Sequence, residues 1–171
     1  RGANINAKDW YGRTPLFAAI EMRDVDVDYQ TFAHMVNAED RKVLLDFIGY
    51  LLDKGVDPNI RVKEVPPLRS WMYLLGGSLA WVDFTGETPF LLASLSGDVT
   101  VMRLLLKHGA DPHITTYQGT TPLMAAAGVN WVVDQTYDEG KDALLEAVKL
   151  CFELGMDVNA KNSMSLMWSL N

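Results

Sequence analysis

The chain has 171 residues, of which 49% are hydrophobic and 22% charged, proportions typical of a globular protein with its own core. Its net charge of −7 argues against nonspecific binding to nucleic acid, and its apolar runs are too short for membrane insertion. The single cysteine, Cys151, excludes an internal disulfide and a zinc site built from several cysteines.

Two short motifs alternate along the chain. The first, Gly-x-Thr-Pro-(Leu/Phe), begins at Gly12, Gly86 and Gly119. The second, Gly-x-(Asp/Asn)-x-(Asn/His), begins at Gly2, Gly55, Gly109 and Gly155. Such strict alternation indicates an internal repeat.

Each motif predicts one end of a helix. In the first motif the threonine is a good N-cap and the proline suits the first helical position, where its missing N–H costs nothing. The second motif follows leucine-rich segments such as "VMRLLLKHG", and its glycine suits the left-handed residue that ends a helix. Its Asp-Pro and Asp-Val pairs favour turns. One unit is therefore predicted to be two antiparallel helices plus a short hairpin.

The interval from Pro89 to Pro122 is 33 residues, the period of the ankyrin repeat, and "DFTGETPFLLASLSGDVTVMRLLLKHGADPH" strongly resembles one. The resemblance implies an all-α repeat fold, an ankyrin-repeat α-solenoid with a short β-hairpin in each unit and loop insertions. The chain departs from the family's Thr-Pro-Leu-His motif because Phe17, Leu91 and Met124 stand at the histidine position. Apolar packing between repeats is expected there instead.

The whole chain, residues 1–171, is predicted to be a single ankyrin-repeat domain. The repeat divides it into units, and three insertions interrupt them. Residues 1–8 are expected to be the tail of a preceding repeat and 161–171 the start of an atypical or truncated one, as in a window on a longer array. The other predicted segments are a repeat at 9–60 with a loop inserted at about 24–42, an inserted hairpin or short helix at 61–82, an uninterrupted repeat at 83–115, and a repeat at 116–160 with a loop inserted at about 128–141.

Signatures of catalysis and of metal binding are scarce. The chain has no Gly-x-Ser-x-Gly, no phosphate-binding glycine-rich loop and no His-Glu-x-x-His. "DVDVDYQ" from Asp24 resembles the start of a calcium loop, but Tyr29 and Met35 replace the glycine and glutamate that such a loop needs. We predict a solvated stretch there, no catalytic residues, no metal and no cofactor.

Aromatic residues at the predicted hairpin tips are the strongest signal of recognition. Exposed aromatic side chains on rigid elements are common anchors of protein interfaces, and ankyrin proteins commonly bind partners with these tips and the adjacent face of the first helix. The residues predicted to bind a partner are Trp10, Tyr11, Arg13, Phe84, Glu87, Tyr117 and Gln118 at the tips, and Trp71 and Tyr73 in the second insertion. The alternative for the insertion aromatics is that they cover the array itself.

The resemblance implies a non-catalytic protein–protein interaction module or scaffold, and long insertions indicate a bacterial-type ankyrin protein. Its surface is expected to be acidic, with a partner that carries a basic or aromatic-complementary patch. One alternative is a regulatory or substrate-presenting region of a larger enzyme or multisubunit complex. Another is a small-molecule pocket beneath the second insertion, formed by Trp71, Trp81 and Glu64.

Overall fold

A computed structural model describes residues 2–24, 27–28, 33–34, 37–64, 85–129 and 141–163 of the chain. Trp71, Tyr73 and Phe84, which were predicted to bind a partner, lie outside these ranges.

The described ranges contain six α-helices and one small antiparallel sheet. The helices are α1 (Pro15–Asp24), α2 (Ala38–Asp53), α3 (Pro89–Ser96), α4 (Val99–Lys107), α5 (Pro122–Ala126) and α6 (Lys141–Glu153). Strands β1 (Val27–Asp28) and β2 (Ala33–His34) pair between α1 and α2, with Val27 opposite His34. The architecture confirms the predicted helical repeat.

The first motif starts helices as its chemistry predicts. The Thr88 hydroxyl oxygen accepts a hydrogen bond from the Leu91 N–H at 3.2 Å, and that of Thr121 accepts one from the Met124 N–H at 3.1 Å. Each bond satisfies a backbone donor that has no partner within the helix. The following Pro89 and Pro122 begin α3 and α5.

The second motif ends helices and joins neighbouring units. Gly55, Gly109 and Gly155 have φ values of 81°, 85° and 80°, the left-handed region expected of a glycine after a helix. Farther along the motif, the Asn59 side chain accepts from the Asp111 N–H at 2.7 Å and donates to the Gly109 carbonyl at 3.1 Å. The asparagine therefore ties its own motif to the next.

Helix α3 lies at the centre of the core. All eight of its residues are buried, and it packs against α1, α4, α5 and α6. Leu91, at the family's histidine position, is 0% exposed and packs with Leu95 and Ala125 in a small cluster apart from the main core. This agrees with the expected apolar packing between repeats.

A buried group of charges joins α1, α2 and the start of α4. Arg23 Nε donates to Asp98 Oδ2 at 2.6 Å, and Arg41 and Arg23 each donate to the other's backbone carbonyl. Asp24 is 0% exposed beside them, so the prediction that it belongs to a solvated stretch is wrong. It is the last residue of α1, and the packing of α2 against α1 encloses it.

Two predicted boundaries shift in the structure. Helix α2 begins at Ala38, capped by the Asn37 side chain, so the loop expected at about 24–42 ends earlier. The stretch expected as an insertion at 61–82 begins with residues that belong to the repeat, because the Val62 N–H donates to the Glu87 carbonyl at 3.0 Å.

Candidate partner-binding surface

The tips of successive hairpins are joined by backbone hydrogen bonds. The Lys63 N–H donates to the Tyr11 carbonyl at 2.8 Å, and the Tyr117 N–H donates to the Thr85 carbonyl at 3.0 Å. The Ser163 N–H continues the series to the Gln118 carbonyl at 2.8 Å. We call residues 9–13, 61–64, 85–87 and 116–119 the tip surface. Its backbone is held rigidly from one unit to the next.

Trp10 is the most exposed large aromatic residue of the tip surface. Its side chain is 71% exposed, yet it is fixed from two sides. The indole Nε1–H donates to Glu64 Oε2 at 3.1 Å, and Lys63 Nζ lies 4.4 Å from the ring centroid. An aromatic group that is both exposed and positioned in advance loses little conformational entropy when it binds.

Tyr117 has the same character two units farther along. It is 61% exposed, and the Arg61 guanidinium lies 4.2 Å from its ring centroid. The guanidinium is itself held by hydrogen bonds to the Gly86 carbonyl at 3.1 Å and the Thr115 carbonyl at 2.6 Å. Arg61 therefore supports the tyrosine from the neighbouring unit.

Tyr11 and Arg13 have mainly supporting contacts. Tyr11 is half-buried, and Arg13 donates to Asp9 Oδ2 at 2.8 Å and to Glu21 Oε2 at 2.6 Å. Partial burial alone would raise the pKa of Asp9, but the hydrogen bonds from Arg13 outweigh it and leave that pKa below 3.8. Arg13 thus links the first tip, through Asp9, to α1, through Glu21.

The prediction that the Glu87 side chain contacts a partner is not compatible with its position. Glu87 is 0% exposed: its backbone carbonyl accepts from the Val62 N–H and its side chain is enclosed by the array. Gln118 remains at the surface and is half-buried. Glu64 was also predicted to line a small-molecule pocket beneath the second insertion. Its carboxylate instead accepts a hydrogen bond from Trp10 at an exposed tip.

The described residues on either side of the second insertion belong to the tip surface. Val62 and Glu87 are paired, and the Gly86 N–H donates to the Val62 carbonyl at 2.8 Å. Residues 65–84, which include Trp71, Tyr73 and Phe84, are therefore flanked on both sides by residues of the tip surface.

The described residues offer little for chemistry. None of their histidine, cysteine, aspartate and glutamate side chains form a group of three that could hold a metal ion. Burial raises the pKa of the Cys151 thiol to about 11, and the side chain is 0% exposed, as expected of a core residue. No helix in the described ranges is both long and apolar enough to cross a membrane.

The sequence interpretation missed the three side chains that hold the aromatic anchors in place. Arg61, Lys63 and Glu64 were assigned to an insertion or to a pocket, although they belong to the second tip. The signal was available in the chain, because "NIRVKE" follows Gly55 at the interval that separates Gly109 from "HITTYQ". That comparison places Lys63 and Glu64 level with Tyr117 and Gln118.

Comparisons with known proteins agree with this architecture. The family model for ankyrin repeats in three copies matches residues 68–162, more than half of the chain. An ankyrin repeat protein of Rickettsia felis is 30% identical over 149 residues, which are 80% of this chain and 53% of the relative.

Other similar proteins match over shorter stretches. An ankyrin repeat protein of Rickettsia bellii is 62% identical over 29 residues, 17% of this chain and 4% of the relative. The inactive serine/threonine-protein kinase TEX14 of Bos taurus is 34% identical over 70 residues, 40% of this chain and 5% of the relative. The chain thus spans about half the length of one relative and a small part of the others. It belongs to the ankyrin repeat family and is similar to bacterial members of that family.

Proposed function

We propose that this chain is a non-catalytic module that binds a protein partner through the tip surface and the insertions. Ankyrin repeats are generally protein–protein interaction modules, which gives the broad class. The observation that carries the proposal is the pair Trp10 and Tyr117, exposed by 71% and 61% and each held beside a cation. Trp71, Tyr73 and Phe84 remain proposed contacts, because Glu64 and Thr85, the residues on either side of segment 65–84, belong to the tip surface.

The first helices contribute less to the proposed surface than the sequence suggests. Every side chain of α3 is buried, so this helix offers a partner no exposed group. Pro15 in α1 is exposed and Met124 in α5 is half-buried, so these two helices can still add contacts.

The charge of the tip surface favours a partner that is not simply basic. Its described charges have both signs, with Arg61 and Lys63 beside Glu64 and Asp9. The acidity of the whole chain is carried elsewhere, on second helices such as α2 and on the second motifs. We therefore propose a partner with apolar or aromatic groups for the two anchors and flanking charges of both signs.

Affinity purification with the chain as bait tests the proposal. We expect the Trp10→Ala, Tyr117→Ala double variant to lose its partner, with binding weaker by about 30-fold or more, as is typical of hot-spot aromatics. Phe152→Ala is the matched control, because Phe152 is 61% exposed on α6, away from the tip surface. Retention of every partner by the double variant would show that the assignment is wrong.

A second candidate is a regulatory or substrate-presenting region of a larger enzyme. It is favoured by the similarity to a relative that is named an inactive kinase and of which the chain spans 5%. Both candidates require the tip surface, but only the second expects the chain to change the rate of an enzyme. Measuring the activity of any captured enzyme with and without the chain distinguishes them.

A further inference from the structure

A groove with a volume of about 620 Å³ runs between α2 and α4, and none of its lining residues belongs to the tip surface. Leu45 and Leu104 form its apolar part and also pack against the main core. Tyr50 lies at its edge with 56% of its surface exposed. An apolar groove that opens to solvent between two helices is a typical site for a third element.

Gly49 keeps the groove open. It lies in the interior of the 16-residue helix α2, where glycine is less favourable than almost any other residue. Its φ is not positive, so the backbone does not require glycine at this position. A Cβ atom there would lie 3.9 Å from Leu104 Cδ2, an ordinary contact, so a larger side chain at this position would fill the groove.

The two walls of the groove carry opposite charges. Asp46 is exposed on the α2 wall, and Arg103 and Lys107 are exposed on the α4 wall. None of the three forms an ion pair with another residue in the part of the chain that the structure describes. At the end of the groove Asp53 Oδ1 already lies 3.1 Å from His108 Nε2.

The lining of the groove defines the kind of element that fits it. Both walls are α-helices, whose central backbone N–H and C=O groups are bonded within the helix, so the groove has no free strand edge. An occupant therefore gains no backbone hydrogen bonds from these walls, which favours an element that satisfies its own, as an α-helix does. Asp46 and Asp53 are seven residues apart, about 10 Å along α2, which matches two turns of such a helix.

We propose that this groove binds an amphipathic helix of another protein. The helix would place a narrow apolar stripe on Leu45, Gly49 and Leu104. It would carry lysine or arginine beside Asp46, and aspartate or glutamate beside Arg103 and Lys107. This site is independent of the tip surface and would let one chain hold two partners at once.

Fluorescence polarisation with labelled helical peptides of about 18 residues, or five turns, tests the proposal. One peptide has a leucine stripe with lysines on one flank and glutamates on the other. Two comparison peptides have the same stripe with only lysines or only glutamates. We expect the mixed peptide to bind at least about tenfold more tightly than either comparison peptide, because only it complements both walls.

Protein variants then locate the binding. Gly49→Met should weaken the mixed peptide by about tenfold or more without lowering the Tm, because methionine fills the groove and favours the helix. The Arg103→Glu, Lys107→Glu variant should weaken the mixed peptide and strengthen the lysine peptide. Phe152→Ala and the Trp10→Ala, Tyr117→Ala variant should bind the mixed peptide as the wild type does. The last result separates this site from the proposed tip surface.

Three outcomes would overturn the proposal. The first is the absence of saturable binding by any peptide, and the second is equal binding by all three peptides or by Gly49→Met. The third is self-association of the wild-type chain in sedimentation that Gly49→Met abolishes, since a second copy would then occupy the groove.

Discussion

Asp24 shows how an unusual environment arises at the scale of one residue. Burial, and then the nearby Asp98 carboxylate, raise the pKa of Asp24 well above 3.8, while Ser96, Arg41 and Arg23 offset this in part. Neither oxygen of Asp24 accepts a hydrogen bond from a described side chain. The folded chain therefore holds a proton that the unfolded chain releases above about pH 3.8.

The pH dependence of stability follows from this shift. Because the raised pKa belongs to the folded state, the contribution of Asp24 to stability falls as pH rises from about 3.8 toward the folded-state value. We expect Asp24→Asn to raise the free energy of unfolding at pH 7 by about 1 kcal/mol or more, because the amide is neutral and its burial requires neither a buried carboxylate charge nor the uptake of a proton. Urea denaturation at pH 7 and pH 4.5 measures this, and the gain should shrink at the lower pH.

Asp46→Asn is the control for that measurement, because Asp46 is exposed and the change should have little effect on stability. A loss of stability in Asp24→Asn at pH 7, with no narrowing of the difference at pH 4.5, would contradict the explanation.

The asparagine of the second motif is the other residue whose role can be measured directly. Asn59 accepts from Asp111 and donates to Gly109, whereas Asn159 holds the same place in the last motif and is exposed. We expect Asn59→Ala to lower the free energy of unfolding by about 0.5–1.5 kcal/mol, because the two motifs lose the hydrogen bonds that join them. Asn159→Ala should change it by less than about 0.5 kcal/mol. Equal effects in chemical denaturation would contradict this role.

At the scale of elements, two glycines at helices have opposite roles. Gly49 occupies ordinary helical space, whereas Gly97 ends α3 with φ at 73° and lies against α6. A Cβ atom on Gly97 would meet the Leu144 backbone nitrogen at 3.1 Å. The first glycine leaves space between two helices, and the second lets two helices approach closely.

Alanine at each position separates these roles. We expect Gly49→Ala to raise the free energy of unfolding by about 0.5–1 kcal/mol, because alanine favours the helix and meets only an ordinary contact. Gly97→Ala should lower it by more than about 1 kcal/mol, because a left-handed residue gains a Cβ and α6 must shift. Thermal denaturation of the two variants and the wild type measures whether each change raises or lowers the free energy of unfolding. A stabilised Gly97→Ala would show that α6 does not pack closely there.

The helices were predictable from the sequence because their signals are local. Thr88 and Pro89 start α3 and Gly97 ends it within a dozen residues, so no knowledge of the rest of the fold is needed. The groove was not predictable, since it depends on the distance between α2 and α4, which neither helix encodes alone. The charge group was missed for the same reason, because Arg23 and Asp98 are 75 positions apart.

The sequence predicted the kind of site, a partner-binding surface at the tips, but only some of the residues that form it. The position before the turn glycine identified Trp10 and Tyr117 as tip residues, and both are exposed. Glu87, which follows the turn glycine, was also predicted to bind a partner, but its side chain is buried. Period alone gives the position of a residue within a unit, whereas its exposure depends on the neighbouring unit as well.

At the scale of the whole molecule, the described helices differ in how extensively they pack against one another. α3 contacts helices on both sides, whereas α6 belongs to the last described unit and exposes Leu145 and Phe152. In a repeat array each unit is stabilised mainly by its neighbours, so we expect α6, which packs less extensively than α3, to open more easily. Cys151 in α6 is the single cysteine and can report this opening.

Thiol labelling measures that opening. We expect Cys151 to react with an aromatic disulfide reagent at pH 8 roughly 100-fold more slowly than a free thiol, because it is buried and must be uncovered. The rate should rise in urea below the midpoint of global unfolding. The Cys151→Ser, Ser163→Cys variant is the control and should react rapidly, since Ser163 is exposed. A Cys151 rate equal to that of global unfolding would show that α6 does not open alone.

The pairing of Val62 with Glu87 has a consequence for how such chains diverge. Val62 and Glu87 are paired although residues 65–84 stand between them in the chain, so this contact between the units does not depend on the length of that segment. Lineages can therefore lengthen, shorten or exchange this segment while the architecture that carries it is inherited unchanged. The second hairpin is the place where one ancestral scaffold can acquire different specificities.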